Sequence, residues 1–520
     1  MQLESYIRGQ WMPGKDAVEV RSAVSGEVVA RATGGGLDMR EILNYARDTG
    51  GKSLRKLTFH QRAEALKNIA QIINARKDEL YKLSFAAGAT RSDSAIDVDG
   101  GIGTLFVYAS KGRRELPNGN FLIDGGAEPL GKEGTFVGQH IVTPLHGAAV
   151  HINAFNFPCW GLLEKFAPAF LAGVPVVSKP ATITAYVAHT MVRMIVESGA
   201  LPDGALQLLI GPTGDLFDHL TCQDVVSFTG SADTSQKLQR HPVMARESVR
   251  FIAERDSVNA AILAPDAAPG TPEFDLFIKE VGKEMTVKAG QKCTAIRRAL
   301  APKAHVDAVI AALRERLGKV KVGNPELENV RMGPVVGIEQ RRDVLDHVAK
   351  LRSDAEIVYG DPDDFAVEGA DKTRGAFIPP LLLYCAEPLR AKNVHAVEAF
   401  GPVATVMGYD GLDQAIALAN RGDGSLVASA YTHDAATAAD LVFGVGSFHG
   451  RLVLIDRDCA KEQTGHGSPM PHLVHGGPGR AGGGEELGGM RSLHHYMQRT
   501  ALQGSPAMVN AIAGRAAKAQ

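Results

Sequence analysis

The chain has 520 residues, more than one hydrophobic core usually supports, so we expect two or three structural units. Hydrophobic residues make up 45% and charged residues 22%, and the formal net charge of −2 argues against nucleic-acid or anionic-membrane partners. We expect no secretory signal and no membrane span, and five scattered cysteines without CxxC spacing favour a reducing cytoplasm.

The first half of the chain predicts a nucleotide-binding unit. Apolar residues recur near a 3.6-residue period over Phe59–Ala86, which predicts a long amphipathic helix. From about residue 147, short unalternating strands alternate with helical stretches. The predicted strands are Ala148–Ile152, Val174–Ser178, Leu206–Ile210, Val225–Phe228 and Asn259–Leu263, and the predicted helices between them include Gly161–Leu171 and Tyr186–Ser198. This alternation predicts an α/β fold with a doubly wound parallel sheet.

A second alternation follows in the second half of the chain and predicts another α/β unit. Its predicted strands are Arg298–Pro302, Glu356–Tyr359, Val403–Met407, Val427–Tyr431 and Leu452–Ile455. The polar, Gly-rich segment Gly125–His140 predicts a hairpin that leaves the first unit, and Gly476–Gly489 has the composition of an almost continuous loop.

Three residues are candidates for covalent chemistry. Cys293 follows a Gly turn, and a thiolate is a strong nucleophile for a carbonyl carbon, provided that its pocket is electropositive or lined by a cofactor. Glu254 adjoins an apolar stretch that can raise the pKa of a general base. Asn156 follows a strand and could donate to an oxyanion together with the Cys293 N–H. The alternatives are a buried structural Cys, a solvated Glu and a turn Asn.

Two strand ends are candidates for cofactor binding. Lys179 ends a predicted strand at the edge where parallel sheets bind ligands, and it can bond ribose hydroxyls or a phosphate. Phe228–Ser231 ends another strand and opens a helix, where free N–H groups can hold a pyrophosphate. A GxGxxG match at Gly477–Gly482 follows no predicted strand and is interpreted as accidental.

No metal site is predicted. His466, His472 and His475 fit no standard ligand spacing and are interpreted as loop residues.

The order of these motifs along nearly the whole chain resembles that of the aldehyde dehydrogenase superfamily. The matching segments are Asn156, Lys179, Phe228–Ser231, Glu254, Cys293 and Glu398–Val403. The resemblance implies that Cys293 is the nucleophile, that Asn156 stabilises the oxyanion and that Glu254 activates the hydrolytic water.

The resemblance also implies a nicotinamide cofactor. Lys179 and Glu398 would hold its two riboses, with Phe400 beside the nicotinamide ribose. The other implied cofactor contacts are Ile152, Asn153, Phe155, Ala181, Thr182, Gly211, Phe228, Gly230 and Ser231.

The family fold implies three parts and a homodimer or a dimer of dimers. The expected parts are a Rossmann-like cofactor domain over 1–124 and 147–257, an α/β catalytic domain over 258–475, and a small β oligomerisation arm over 125–146 and 490–520.

Three departures from the family pattern are informative. Thr182 stands where members that prefer NAD usually carry Glu; a carboxylate would repel a 2′-phosphate, which Lys179 could instead pair with, so we predict NADP. Ser235 replaces a Gly, and Glu254-Arg255-Asp256-Ser257-Val258 replaces Glu-Leu-Gly-Gly-Lys.

The last departure is similar to a subgroup of bacterial aromatic-degradation enzymes. The segments Ala253–Ser257, Lys288–Arg298 and Gly476–Gly489 resemble the dehydrogenase half of the phenylacetate ring-cleavage enzyme and the semialdehyde dehydrogenases of benzoyl-CoA degradation. The predicted function is therefore NADP-dependent oxidation of an acyl-CoA semialdehyde to an acid. The alternatives are a CoA-acylating dehydrogenase, a dehydrogenase of free aldehydes, and a non-catalytic protein on the same fold.

Overall fold

The computed structural model describes residues 1–516; residues 517–520, which end the predicted arm segment 490–520, lie outside the described residues. The strands are β1 Gln2–Leu3, β2 Ser5–Ile7, β3 Gln10–Met12, β4 Ala17–Arg21, β5 Val28–Thr33, β6 Leu122–Pro129, β7 Val137–Pro144, β8 Ala149–Ile152, β9 Val176–Lys179, β10 Leu206–Leu208, β11 Val225–Thr229, β12 Arg250–Glu254, β13 Ala260–Leu263, β14 Arg298–Pro302, β15 Glu356–Tyr359, β16 Leu381–Cys385, β17 Val403–Tyr409, β18 Ser425–Tyr431, β19 His449–Ile455, β20 Val474–Gly476, β21 Glu485–Leu487 and β22 Met497–Gly504. The helices are α1 Met39–Tyr45, α2 Gly51–Lys56, α3 Phe59–Ser84, α4 Arg91–Glu115, α5 Trp160–Ala172, α6 Ala185–Glu197, α7 Ala232–Gln239, α8 Pro242–Arg246, α9 Pro272–Thr286, α10 Val306–Gly318, α11 Ile338–Leu351, α12 Asn393–Ala396, α13 Leu412–Asn420, α14 Ala435–Val445 and α15 Pro506–Ala516.

The first large sheet has the strand order β12-β11-β8-β9-β10-β2-β3. Strands β8 to β12 within it are parallel, as the alternation of short apolar runs and helices predicts, whereas β2 and β3 add an antiparallel edge. The order runs outward from β8 in both directions, so the switch point of this doubly wound sheet lies between β8 and β11.

The second large sheet has the order β15-β16-β17-β14-β13-β18-β19 and is parallel except at β15. The alternation of apolar runs grouped Asn259–Leu263 with the first unit, and that grouping was wrong, because β13 pairs with β14 and β18 of the second sheet. The boundary at 258 implied by the family resemblance puts this strand with the second unit. Only five residues separate β12 from β13, and the chain crosses between the sheets there without any break in the apolar pattern.

A third sheet, with the order β22-β7-β6, lies outside both units. It contains the predicted hairpin, which begins at Leu122 instead of Gly125. The continuous loop predicted over Gly476–Gly489 was wrong in part, since β20 and β21 pair there as a short antiparallel ribbon. Among the described helices, none is long and apolar enough to cross a membrane.

Helices α3, α4 and α5 form the layer that positions the site. The helix predicted over Phe59–Ala86 is confirmed as α3. A Cβ on Gly100 would come within 2.4 Å of the Trp160 ring, so this glycine allows α4 to pack closely against α5. The Asp97 carboxylate of α4 accepts hydrogen bonds from the Cys159 and Trp160 N–H groups at the start of α5. The loop before α5 is thereby held in place.

Candidate active site

The predicted site residues converge on the carboxyl edge of the first sheet. Asn156 follows β8, Lys179 ends β9, Thr229 ends β11 and Glu254 ends β12. Cys293 reaches the same place from the segment between α9 and β14. The carboxyl ends of parallel strands meet at one edge, which is where such sheets form ligand sites.

A tightly bent segment presents Cys293. Lys288 and Ala289 have φ values of +52° and +50°, and Gly290 has +68°. A Cβ on Gly290 would meet the Gly401 carbonyl oxygen at 2.1 Å, so the chain needs glycine here. Asn259 donates its Nδ2–H to the Cys293 carbonyl at 2.8 Å and so fixes the segment from behind.

Three side chains meet at the base of the site. The Cys293 sulfur, a Glu254 carboxylate oxygen and a His475 ring nitrogen all lie within 4.8 Å of one another. They line one narrow cavity, whose walls also include Asn156, Trp160, Glu164, Lys165, Thr229 and Thr294. A candidate nucleophile and a candidate base therefore face the same space.

Asn156 is placed to donate toward that space. It is buried, and its Nδ2 donates to the Gln291 carbonyl at 3.0 Å. An amide nitrogen carries two hydrogens, so one remains for an oxygen bound beside Cys293. The bond to Gln291 ties the amide to the nucleophile segment and fixes its orientation.

Glu254 is buried as expected, but the expectation that its pKa is raised was wrong. Burial alone would raise it; the His475 ring, 3.0 Å from Oε2, and a hydrogen bond with Cys293 instead lower the pKa of Glu254. In turn, burial opposes a charged His475, but Glu254 overrides this and raises the pKa of the imidazole. The two side chains form a buried carboxylate–imidazole pair in which the charged form of each favours the charged form of the other.

Cys293 lies in acidic rather than electropositive surroundings, contrary to the environment expected for a reactive thiol. Burial first, then the Glu254 carboxylate, and more weakly Glu164 and Glu398, raise the pKa of its thiol. The carboxylates therefore oppose ionisation of Cys293, while the cations Arg297 and Arg451 lie close enough to act in the opposite sense.

The sequence interpretation missed a second group of buried charges, of which Glu164 and Lys165 line the cavity. Lys165 Nζ lies 2.9 Å from Glu486 Oε2 and 3.4 Å from Glu164 Oε1, and Ser227 Oγ donates to Glu486 at 2.7 Å. A signal was present: the pair Glu164-Lys165 interrupts a helix whose other residues are mostly apolar. Charges in such a helix must find partners in the interior.

His475 was also missed, because its Gly-rich surroundings suggested a loop. It lies on β20, opposite Glu486 of β21. The other two histidines of the rejected metal pattern lie elsewhere: His466 Nδ1 contacts Ser429 Oγ at 2.7 Å, and His472 is exposed. Thiol, carboxylate and imidazole are donor types that zinc accepts, but the carboxylate and imidazole already pair with each other.

The residues predicted to hold the riboses flank the same edge of the sheet. Lys179 is mostly buried, which lowers its pKa, and Thr182 begins the short 3₁₀ turn after it. Across the site, burial raises the pKa of Glu398 to about 7, while its carboxylate accepts the Ser257 N–H at 2.9 Å. Phe400 packs edge-on against Phe155 at 5.8 Å.

The remaining predicted cofactor contacts occupy nearby strand ends and turns. Ile152 and Phe228 lie on the paired strands β8 and β11, Ala181 precedes the 3₁₀ turn, and Gly211 packs against Gly34. Asn153 donates to Ser178 Oγ at 3.0 Å and leaves its Oδ1 buried without a partner in the described structure.

The backbone N–H groups at the start of helix α7 are not all free to bind a phosphate. Ser231 caps it by accepting the Thr234 N–H, and the Asp256 carboxylate accepts the Ala232 N–H at 2.8 Å. Asp256 belongs to the segment that departs from the family pattern. The N–H groups of Ala232 and Thr234 are thus hydrogen-bonded within the chain, so fewer remain for a pyrophosphate.

The chain belongs to the aldehyde dehydrogenase family, whose model matches residues 11–501. It is 48% identical over 480 residues to a 3,4-dehydroadipyl-CoA semialdehyde dehydrogenase from Aromatoleum evansii, covering 92% of this chain and 93% of that protein.

Solved structures show the same fold. A lactaldehyde dehydrogenase from Escherichia coli is 25% identical with a TM-score of 0.83, covering 96% of this chain and 99% of that one. A betaine aldehyde dehydrogenase from Staphylococcus aureus in complex with NAD⁺ is 22% identical with a TM-score of 0.82, covering 96% and 94%. The predicted family and α/β fold are thereby confirmed.

Proposed function

We propose that this chain oxidises an aldehyde carried on an acyl-CoA to a carboxylic acid, with NADP as hydride acceptor. The observation that carries the proposal is the meeting of Cys293, Glu254 and Asn156 around one cavity. In this proposal Cys293 is the nucleophile, Glu254 the base for water and Asn156 the oxyanion donor.

The first half-reaction depends on Cys293 and Asn156. The Cys293 thiolate attacks the aldehyde carbon, and the C=O electron pair moves to the oxygen. That oxygen accepts hydrogen bonds from the spare Asn156 N–H and from the Cys293 backbone N–H. Collapse of this adduct with loss of hydride leaves an acyl group on Cys293 as a thioester.

The second half-reaction depends on Glu254. A water in the cavity attacks the thioester carbon and gives its proton to the Glu254 carboxylate. The same oxyanion donors stabilise the second tetrahedral intermediate, and the Cys293–acyl bond breaks to release the acid. The carboxylate must be free of a proton at that step, and the lowering of its pKa by His475 favours that state.

The residues present fit a nicotinamide cofactor, which when bound supplies the hydride acceptor. Lys179 ends β9, Phe400 packs against Phe155 after β8, and the Glu398 carboxylate accepts the Ser257 N–H after β12. Buried Thr229 Oγ1 and Asn153 Oδ1 have no partner within the described chain, so polar atoms there await a ligand.

The NADP preference rests on Thr182. The position is uncharged and lies three residues after Lys179, so a 2′-phosphate would meet a cation and no carboxylate. A ratio of kcat/KM for NADP to NAD above 1 is the expected result.

The CoA-linked substrate rests on the likeness to the Aromatoleum evansii protein, whose name includes a CoA semialdehyde. A place in bacterial aromatic degradation and a cytoplasmic location belong to the same proposal. The proposed dimer or dimer of dimers would use the third sheet, whose exposed edge strand β22 offers unpaired backbone groups.

One coupled assay tests the proposal. Purified enzyme is given NADP or NAD with aldehydes that differ only in the CoA tail, and free carboxylate, new thioester and reduced cofactor are counted. We expect one carboxylate per NADPH and higher kcat/KM for the CoA-linked aldehyde. An absolute requirement for free CoA would favour the CoA-acylating alternative, and equal use of short free aldehydes would remove the proposed substrate.

A further inference from the structure

The ring of His475 contacts Glu254 through its Nε2 in the wall of the cavity. Its Nε2 lies 3.0 Å from Glu254 Oε2, and the two side chains are 3% and 4% exposed. Strand β20 fixes the position of this ring, because His475 pairs in register with Glu486 on β21. The backbone pairing thus fixes the Cα position from which the ring reaches Glu254.

The charges around His475 come from several elements. They are Glu254 on β12, Glu164 and Lys165 on α5, Glu486 on β21, Arg451 on β19 and the Cys293 thiol. Lys165 already bridges Glu164 and Glu486, and Arg451 donates to the His466 carbonyl. Within the described part of the chain, His475 is the group that forms an ion pair with Glu254.

The contact between His475 and Glu254 offsets the repulsion that opposes ionisation of the Cys293 thiol. A thiolate and a carboxylate within 4.8 Å of each other would place two like charges in a buried site. With a cationic ring beside the carboxylate, the trio of thiolate, carboxylate and imidazolium carries one net negative charge instead of two.

Given the proposed roles of Cys293 and Glu254, we propose that His475 is a positioning residue that holds a positive charge against Glu254 and thereby allows Cys293 to ionise. In this step the S–H bond breaks, and the proton passes to water in the cavity. His475 keeps its own protons throughout and never contacts the aldehyde.

The proposal is tested on the thiol alone, without aldehyde or cofactor. The rate of Cys293 alkylation by iodoacetamide is measured against pH in the full-length protein, with Cys293→Ser giving the background. His475→Gln keeps a donor toward Glu254 but cannot carry a charge. We expect its alkylation at pH 7 to be at least about tenfold slower, with the pH midpoint moved upward. His472→Gln, on the exposed loop, is the matched control and should stay within about twofold of wild type.

A second background separates charge from packing. In Glu254→Gln, the carboxylate that holds the imidazolium is gone, so adding His475→Gln should change the alkylation rate by less than about twofold. Equal slowing by His475→Gln in both backgrounds would indicate a packing role and overturn the proposal. An unchanged midpoint in the single variant would also overturn it.

A third measurement does not depend on the folding of a His475 variant. The ring ¹⁵N chemical shifts of the histidines in the wild-type protein should show one imidazole that keeps protons on both nitrogens above about pH 7.5. This signal should vanish in Glu254→Gln. The absence of such a ring in the wild type would contradict the proposal. Because no substrate is used, these results remain readable even if aldehyde oxidation is not observed, so the two proposals can fail separately.

Discussion

The two sides of the site are built in different ways. On the catalytic side, Cys293, Glu254, His475 and Lys165 belong to buried charge networks in which each group fixes the ionisation of the next. On the cofactor side, Thr182 and Ser231 are more exposed and act singly. Under the proposed roles, catalysis depends on coupled buried charges, whereas the choice of cofactor depends on individual side chains. Substitutions on the catalytic side should therefore lower activity or stability far more than substitutions on the cofactor side.

The largest expected effect is at the nucleophile. Cys293→Ser should lower kcat by more than about 10³-fold, since an alcohol in these acidic surroundings cannot replace the thiolate. The burst of reduced cofactor in stopped-flow absorbance should disappear. The exposed Cys222→Ser is the control and should keep wild-type turnover. A persisting burst in Cys293→Ser would place the nucleophile elsewhere.

The next effect separates the two half-reactions. Glu254→Gln should slow turnover by about 10²–10⁴-fold because the hydrolytic water loses its base. Thioester formation should remain, so the burst persists and acyl-enzyme accumulates, as measured by intact-protein mass spectrometry. In the wild type, hydrolysis should fall only at low pH, where the carboxylate with its lowered pKa takes up a proton. Loss of the burst together with turnover would show that Glu254 serves the first step instead.

The third effect tests whether the buried network that includes Lys165 is coupled. Lys165→Met leaves Glu486 and Glu164 without their cation, and it should lower the free energy of unfolding by about 3–5 kcal/mol. The midpoint of urea unfolding measures this loss. The double variant Lys165→Met/Glu486→Gln removes one of the stranded charges and should recover part of it. If the double variant were as unstable as the sum of the single variants, the charges would not be coupled.

The smallest effect is expected on the cofactor side. Thr182→Glu should reduce kcat/KM for NADP by about tenfold through repulsion of the 2′-phosphate, with little change for NAD. Thr182→Gln has the same shape without the charge and should retain the wild-type ratio. Steady-state assays with both cofactors measure the ratio. If Glu and Gln behaved alike, Thr182 would not read the cofactor by charge.

Sequence patterns identified the candidate residues that line the cavity more reliably than the charges that surround them. Cys293, Glu254 and Asn156 lie next to short apolar strands or a Gly turn, and local patterns mark such places. His475 was missed because short Gly-rich strands have no readable period, and the direction of the Glu254 pKa was wrong for the same reason: its partner lies 221 positions further along the chain. Burial could be expected from neighbours in sequence, whereas the compensating charge could not.

The sequence by itself determined the family, the two α/β units and the identities of the candidate nucleophile, base and oxyanion donor. The two units follow from apolar periodicity, the candidate residues from their chemistry, and the family from the resemblance of ordered motifs, all of which are read along the chain. Only the tertiary structure decided that β20 and β21 pair and that His475 and Lys165 each meet their carboxylates. Those outcomes depend on contacts between residues far apart in the chain, and the ionisation of each buried group depends on the charge that such contacts bring within a few ångströms.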